Sequence, residues 1–179
     1  LDYADRAYAV SSADAHYALV HRTMVEARRE DGQTLLALNE LYVGHRTHQS
    51  SRYRIHLGDR HERHSSSGVI ISTGTGATGW ARSISQAVKA PPPLPSPEEP
   101  QLAFFVREAW PSVATGTEIT SGIIGAGERL ILHSDLPEDG LAFGGGIESD
   151  PVEFLSGHSL TIAASATKLR LVKRKAPET

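Results

Sequence analysis

The segment Val69-Ile70-Ile71-Ser72-Thr73-Gly74-Thr75-Gly76-Ala77-Thr78-Gly79-Trp80 joins a short apolar run to the strongest helical pattern in the chain. Val69 to Ser72 reads as a buried strand. Trp80, Ile84 and Val88 recur at helical spacing with Ala81 and Ala87 beside them, so a helix is expected from Trp80 until Pro91 stops it. Between strand and helix stand three glycines and three threonines. Glycine lets the backbone approach a ligand closely or take positive φ, and threonine supplies hydroxyls. A loop that feeds a helix start offers free N–H groups to an anion. Thr73, Gly74 and Gly76 are therefore candidate phosphate-loop residues. The loop is not a P-loop, because no Lys follows the glycines. Gly74, Gly76 and Gly79 have the G-x-G-x-x-G spacing, but no βαβ continuation and no acidic residue about twenty positions on support it. A plain turn leading into a helix is the competing reading of the same residues.

Outward from this segment the chain reads as β. Thr23, Val25 and Ala27 alternate with polar neighbours, Asp31-Gly32 marks a hairpin, and Thr34 to Val43 is the expected return strand. Arg52 to Leu57 puts Tyr53, Ile55 and Leu57 on one face and Arg52, Arg54 and His56 on the other. Past the helix, six prolines between Pro91 and Pro100 predict an extended, solvated loop over 91–100. Short strands are then expected at Leu102–Arg107, Arg129–His133, Leu141–Phe143, Val152–Leu155, Ser159–Ala163 and Leu169–Val172, with Gly-rich or Asp/Pro turns between them. This spacing predicts a mainly β, sandwich-like domain over 19–175 with one main helix. Residues 1–18, polar and Ala/Ser-rich, read as a linker or the remnant of a preceding domain. Lys173-Arg174-Lys175 reads as a solvated basic tail.

Asn39-Glu40 breaks the pattern. It lies within Leu35 to Val43, where seven of nine residues are apolar. An amide and a carboxylate in a strand covered on both faces cost roughly 1–3 kcal/mol or more without partners. Either the strand ends or bulges at Asn39 and leaves Glu40 at a sheet edge, or the pair lines a ligand cleft. A carboxylate that accepts from hydroxyls, beside an amide that donates and accepts, suits a sugar diol.

Composition narrows the alternatives. The net charge of −3 argues against a nucleic-acid partner. The longest apolar run, Leu102 to Val106, is too short for a membrane-spanning helix. With no cysteine, disulfide scaffolds, thiolate zinc sites and cysteine nucleophiles are excluded, and a reducing, cytoplasmic setting is expected. His45, His48, His56, His61 and His64 cluster in an Arg/Ser-rich stretch read as solvated loop, so no metal site is expected there. A Ser-His-Asp hydrolase lacks its G-x-S-x-G elbow.

Taken in order, Ala37-Leu38-Asn39-Glu40 and, about thirty residues later, Ser72 to Trp80 resemble the C-terminal half of the NAD kinases. The likeness is closest to the divergent mitochondrial-type branch. That branch has a similar Ala-Leu-Asn-Glu segment, a Ser-Ser-Gly before the strand, a Thr-Gly-Thr-Gly loop ending in Trp, and a segment like Val106-Arg107-Glu108. The likeness runs from about Arg22 to Val172. It implies an N-terminal α/β domain, largely absent from this chain, and a C-terminal β-rich domain, with the active site between them. It implies transfer of the γ-phosphate of ATP, with a divalent metal such as Mg, to the 2′-hydroxyl of the adenosine ribose of NAD, giving NADP. Asn39 and Glu40 match the pair that binds NAD in that family. Thr75 and Thr78 match loop hydroxyls near the dinucleotide, Gly79 and Trp80 match an Ala-Tyr pair beside it, and Ser83 matches a polar helix position. A homodimer or homotetramer is implied.

The chain also departs from the family. Gly74 stands where the common loop has Pro, and Trp80 where it has Tyr. Ser67 replaces an Asp that helps hold the nicotinamide end. The Gly-Gly-Asp-Gly motif, whose Asp is the usual catalytic base, is missing: the only such run, Gly144-Gly145-Gly146, precedes Ile147-Glu148. The chain starts at Leu1 in a linker-like segment, so the motif is expected upstream, and no catalytic residue is identified here. Two alternatives stand beside NAD kinase: a non-catalytic nucleotide-binding or regulatory module, and a lipid or sugar kinase of the same superfamily.

Overall fold

A computed structural model describes residues 17–145 and 147–175. Twelve strands form two antiparallel sheets. The first sheet has the order β2-β1-β12-β9-β4-β5. Its strands are β1 (Tyr17–Arg29), β2 (Thr34–Ala37), β12 (Ser159–Arg174), β9 (Leu130–Ser134), β4 (Ser51–Leu57) and β5 (Arg60–Ser66). The second sheet has the order β11-β10-β3-β6-β7-β8. It comprises β11 (Ile147–Glu153), β10 (Gly140–Gly144), β3 (Glu40–His45), β6 (Val69–Ser72), β7 (Leu102–Val106) and β8 (Ser121–Ile124). Among the described residues a single α-helix, α1 (Trp80–Ser85), follows β6 after a short 3₁₀ turn over Gly76–Thr78. No helix among the described residues is long and apolar enough to cross a membrane.

The sequence patterns explain the layers. Val25, Ala27, Tyr53, Ile55, Leu130, Leu132, Leu160 and Ile162 of the first sheet meet Leu41, Val43, Val69, Ile71, Leu102 and Phe104 of the second in one continuous core. The first sheet uses only that face, so its strands alternate, with Arg52 and Arg54 outside. The inner strands of the second sheet are buried on both faces, which gives near-continuous apolar runs. Their second face is covered by α1 and the proline-rich loop: Trp80 and Ile84 pack on Tyr42, Ile70, Leu141 and Phe143, and Val88 and Leu94 pack on Ala81, Ala103 and Phe105.

Several expectations need correction. Tyr17 and Ala18, placed in the linker, belong to β1, opposite Arg174 and Lys173; residues 1–16 lie outside the described residues. The same pairing turns the expected basic tail into strand. Ser159–Ala163 and Leu169–Val172 are one strand, because β1 supplies partners along nearly all of it. The return strand is two strands: β2 stays with β1, and after Leu38-Asn39 the chain crosses to the other sheet as β3. Glu40 therefore starts an interior strand, and no sheet edge lies beside it. The helix ends at Ser85, before Pro91, as bonds from Ala87 N–H to Ile84 and from Val88 N–H to Ser85 tighten the chain into turns. Strand β8 was not expected.

The histidine-rich stretch read as loop is largely strand. His56 lies on β4, the strand expected over Arg52–Leu57, while His61 and His64 lie on β5, paired with β4 throughout. His64 is fully buried, with its ring stacked on Tyr53 at 5.6 Å. Its Nε2 lies 2.8 Å from Glu62 Oε2, without hydrogen-bond alignment, and its Nδ1 has no partner. Glu62 accepts from the N–H groups of Glu118 and Ile119 at 3.0 and 2.8 Å. Trp110 N–H bonds Ser65 and Gly116 N–H bonds Arg63. The loop before β8 thus covers the outer edge of β5, satisfying an edge that would otherwise invite pairing.

Burial lowers the His64 pKa below the ordinary 6.5, with Glu62 opposing the shift. For Glu62, burial alone would raise the value, but the Ile119 and Glu118 N–H groups and His64 outweigh it and hold the carboxyl below 4.5. In both cases the unfolded chain takes up protons first: the His64 contribution is present above about pH 6.5 and lost as pH falls below it, and that of Glu62 is present above about pH 4.5 and lost below it. Denaturant midpoints should drop between neutral pH and about pH 5, and His64→Phe should flatten the upper part of that drop. A His64→Phe profile as steep as wild type would show that His64 is not the source.

Candidate functional site

The crossover from β2 to β3 and the loop after β6 are built against each other. β3 and β6 are neighbours, with Glu40 opposite Ser72. One residue further, Thr73 N–H donates to the Asn39 carbonyl at 2.9 Å. The Thr73 side chain is wholly buried. Its hydroxyl lies 2.6 Å from the Leu38 carbonyl oxygen and 3.1 Å from that of Asn39. It also accepts from the N–H groups of Thr75 (3.1 Å) and Gly76 (3.3 Å). A single hydroxyl therefore sets the distance between the two segments that the sequence singled out.

The glycines serve the fold more than a ligand. None of Gly74, Gly76 and Gly79 has positive φ. A Cβ on Gly74 would lie 2.1 Å from the Ser96 carbonyl oxygen and 2.5 Å from Pro97 N. A Cβ on Gly76 would lie 2.3 Å from the Asn39 carbonyl oxygen. The close approach inferred from sequence is thus made by the chain itself, through the proline-rich loop and the crossover. The Thr75 and Gly76 N–H groups are likewise taken by Thr73. As assigned phosphate-loop residues, Thr73, Gly74 and Gly76 hold the loop in shape. The residues left facing outward are Asn39, Thr78, Gly79 and Ser83, all exposed, with Glu40, Thr75 and Trp80 half-buried.

Two features of that remainder are unsatisfied. The Thr75 hydroxyl is buried and has no hydrogen-bond partner. The Glu40 carboxylate has no ion pair or hydrogen bond among the described residues, and burial pushes its pKa above the ordinary value. Both groups lie where the two segments meet. Asn39, by contrast, is exposed at the crossover: the strand does break there, as the first reading had it, but Glu40 starts an interior strand instead of lying at a sheet edge.

Trp80 is fixed on three sides. Its ring lies parallel to Tyr42 at 6.2 Å, edge-on to His48 at 6.5 Å, and under the Arg107 guanidinium at 5.2 Å from the centroid. Tyr42 is anchored by its hydroxyl, which donates to the His45 carbonyl at 2.9 Å. Sequence alone gave no signal for the Arg107, His48 and Tyr42 clamp, because its members come from β3, the next turn and the end of β7. No three His, Asp or Glu side chains converge to hold a metal ion among the described residues.

The fold and loop define a two-sheet β domain with an unpaired carboxylate, Glu40, and the exposed Thr78 at one crossover. No protein-family model matches this chain, and no curated protein matches it either.

The internal role of the loop is testable. Thr73→Val should cost about 2–4 kcal/mol, because it strands several buried polar partners. Gly74→Ala should cost at least as much, since its neighbours are rigid backbone atoms. Chemical denaturation measures both, and a loss under about 0.5 kcal/mol for either would remove the strut.

Proposed function

We propose that this chain is the dinucleotide-binding half of an NAD kinase, which as a whole phosphorylates the 2′-hydroxyl of the adenosine ribose of NAD with ATP and a divalent metal. The observation that supports this most is the junction of Asn39-Glu40 with the Thr73–Gly79 loop, held by the Thr73 hydroxyl. In the sequence the two motifs are about thirty residues apart, and either is weak alone. At that junction Glu40 would accept from the ribose hydroxyls, Asn39 would donate and accept beside it, and Thr78 and Ser83 would offer hydroxyls to the phosphates, while the buried Thr75 hydroxyl would have to turn outward to join them. Gly79 leaves the start of α1 open, and the clamped Trp80 would flank the bound nucleotide.

The described residues do not fit the divalent ion on their own, so no step is assigned through it. Phosphoryl transfer depends on positioning and charge stabilisation, and within this chain only the positioning has candidate residues. The same junction also suits a second reading, a nucleotide-binding module without turnover.

The chain alone should bind NAD in calorimetry without converting it. A longer protein carrying the upstream motif should form NADP from NAD, ATP and Mg²⁺. Glu40→Gln and Asn39→Ala should each weaken NAD binding about tenfold, as expected for one lost ligand hydrogen bond, charge-assisted at Glu40. Because the Glu40 carboxyl titrates above the ordinary 4.5, affinity should begin to fade at a higher pH than a normal carboxylate dictates, and Glu40→Gln should abolish that dependence. NAD binding unchanged in both variants would refute the assignment. Binding without NADP formation in the longer protein would leave the module reading.

A further inference from the structure

A hollow of about 410 Å³ lies on the outer face of the first sheet, away from the Thr/Gly loop. It comes from a bulge. Thr23 faces Lys168 and Val25 faces Ala164, so β12 advances four residues while β1 advances two. Extra residues of this kind re-aim side chains and bend the strand. Below the bulge, Glu26 faces Ala163 and Arg28 faces Thr161. On the far side Arg129 leads into β9, whose Leu130 faces Ile162. The small Ala163 stands between these long side chains and leaves the space open.

The rim is arranged for one kind of ligand. Arg28 Nη2 bonds Glu26 Oε1 at 2.8 Å, and the buried Ser165 hydroxyl donates to Glu26 Oε2 at 3.1 Å. Glu26 is thereby fixed, and it pre-orients Arg28. Arg129 has no ion pair or hydrogen bond among the described residues, though it lines the same hollow. Two guanidiniums against one carboxylate leave a net positive rim, and guanidinium forks match phosphate oxygens. Thr161 and the remaining lone pairs of Glu26 suit ligand hydroxyls. The volume is in the range of small-molecule sites and larger than a bare phosphate needs. No aromatic residue lines it, so a nucleotide base would have nothing to stack on.

We propose that this hollow binds a phosphorylated sugar, its phosphate between Arg28 and Arg129 and its hydroxyls toward Glu26 and Thr161. The site is separate from the proposed dinucleotide site and does not depend on that reading. Calorimetry of the chain with glucose 6-phosphate and ribose 5-phosphate tests it, with glucose and inorganic phosphate as the comparison arms. At least one sugar phosphate should bind saturably, ten times or more tighter than either arm. Arg129→Ala and Ala163→Leu, the second filling the hollow without touching a charge, should each weaken that binding at least tenfold. Arg54→Ala, on the same sheet face but outside the hollow, should leave it unchanged, and circular dichroism should show all three variants folded. The proposal is overturned if neither sugar phosphate gives saturable heat. It is equally overturned if glucose or phosphate binds as tightly, or if folded Arg129→Ala and Ala163→Leu bind as wild type does.

Discussion

The architecture around the candidate site depends on one buried hydroxyl. Thr73 sits where β6 ends, and it must satisfy partners on two segments at once. Its acceptors are carbonyls of the crossover between the sheets, and its donors are amides of its own loop. Buried polar groups left unpaired are expensive, so the crossover, the loop and the strand end share one geometry. That is why the segments that carry Glu40 and Thr75 are fixed against each other. It is also why the loop amides, free in a simple helix-start picture, are already occupied.

The legible part of the fold follows from which faces are covered. Alternation in β4 and the core half of β1 reports a sheet with one wet face, and the unbroken runs Val69–Ile71 and Leu102–Val106 report strands covered twice. The illegible part is equally physical. β5 reads Arg-His-Glu-Arg-His-Ser-Ser because its inward residues are polar groups that stack or pair: His64 on Tyr53, Ser66 with the Tyr53 hydroxyl at 2.8 Å. Periodicity cannot find a strand whose inner face is polar. A break at Asn39 was one of the two sequence readings, but the crossing to the other sheet was hidden, because β2 and β3 are both apolar and differ only in the sheet they join. The glycines were open to two readings in the sequence, since a missing Cβ looks the same whether a ligand or a carbonyl fills the space; against Gly74 and Gly76 it is a carbonyl.

The two outer faces of the sandwich have opposite characters. That of the second sheet is roofed by α1 and the proline-rich loop, and it carries the clamp of Trp80 by Tyr42 and Arg107. That of the first sheet is bare and rich in arginine and histidine, with Arg54 and Arg63 both paired to Asp135. His56 stands between His61 and His133 there. Burial, then its histidine neighbours and Arg54, lower its pKa. A chain of net charge −3 thus gathers much of its cationic character on one side.

The proline-rich loop, read from sequence as a solvated spacer, is a brace. Pro95 is buried and Leu94 packs beneath α1. The Pro97 carbonyl accepts from Thr23 N–H at 2.9 Å, beside the β1 bulge. Ser96 and Pro97 lie flat against Gly74. The Pro92-to-Pro95 repeat that a polyproline-reading module would need is therefore turned partly inward, and such a module could grip it only by prying the loop off the domain. Added length is accommodated between Pro91 and Pro93, ahead of the first anchor, whereas one extra residue between Leu94 and Pro97 would pull Leu94 from beneath α1 or Pro97 from β1.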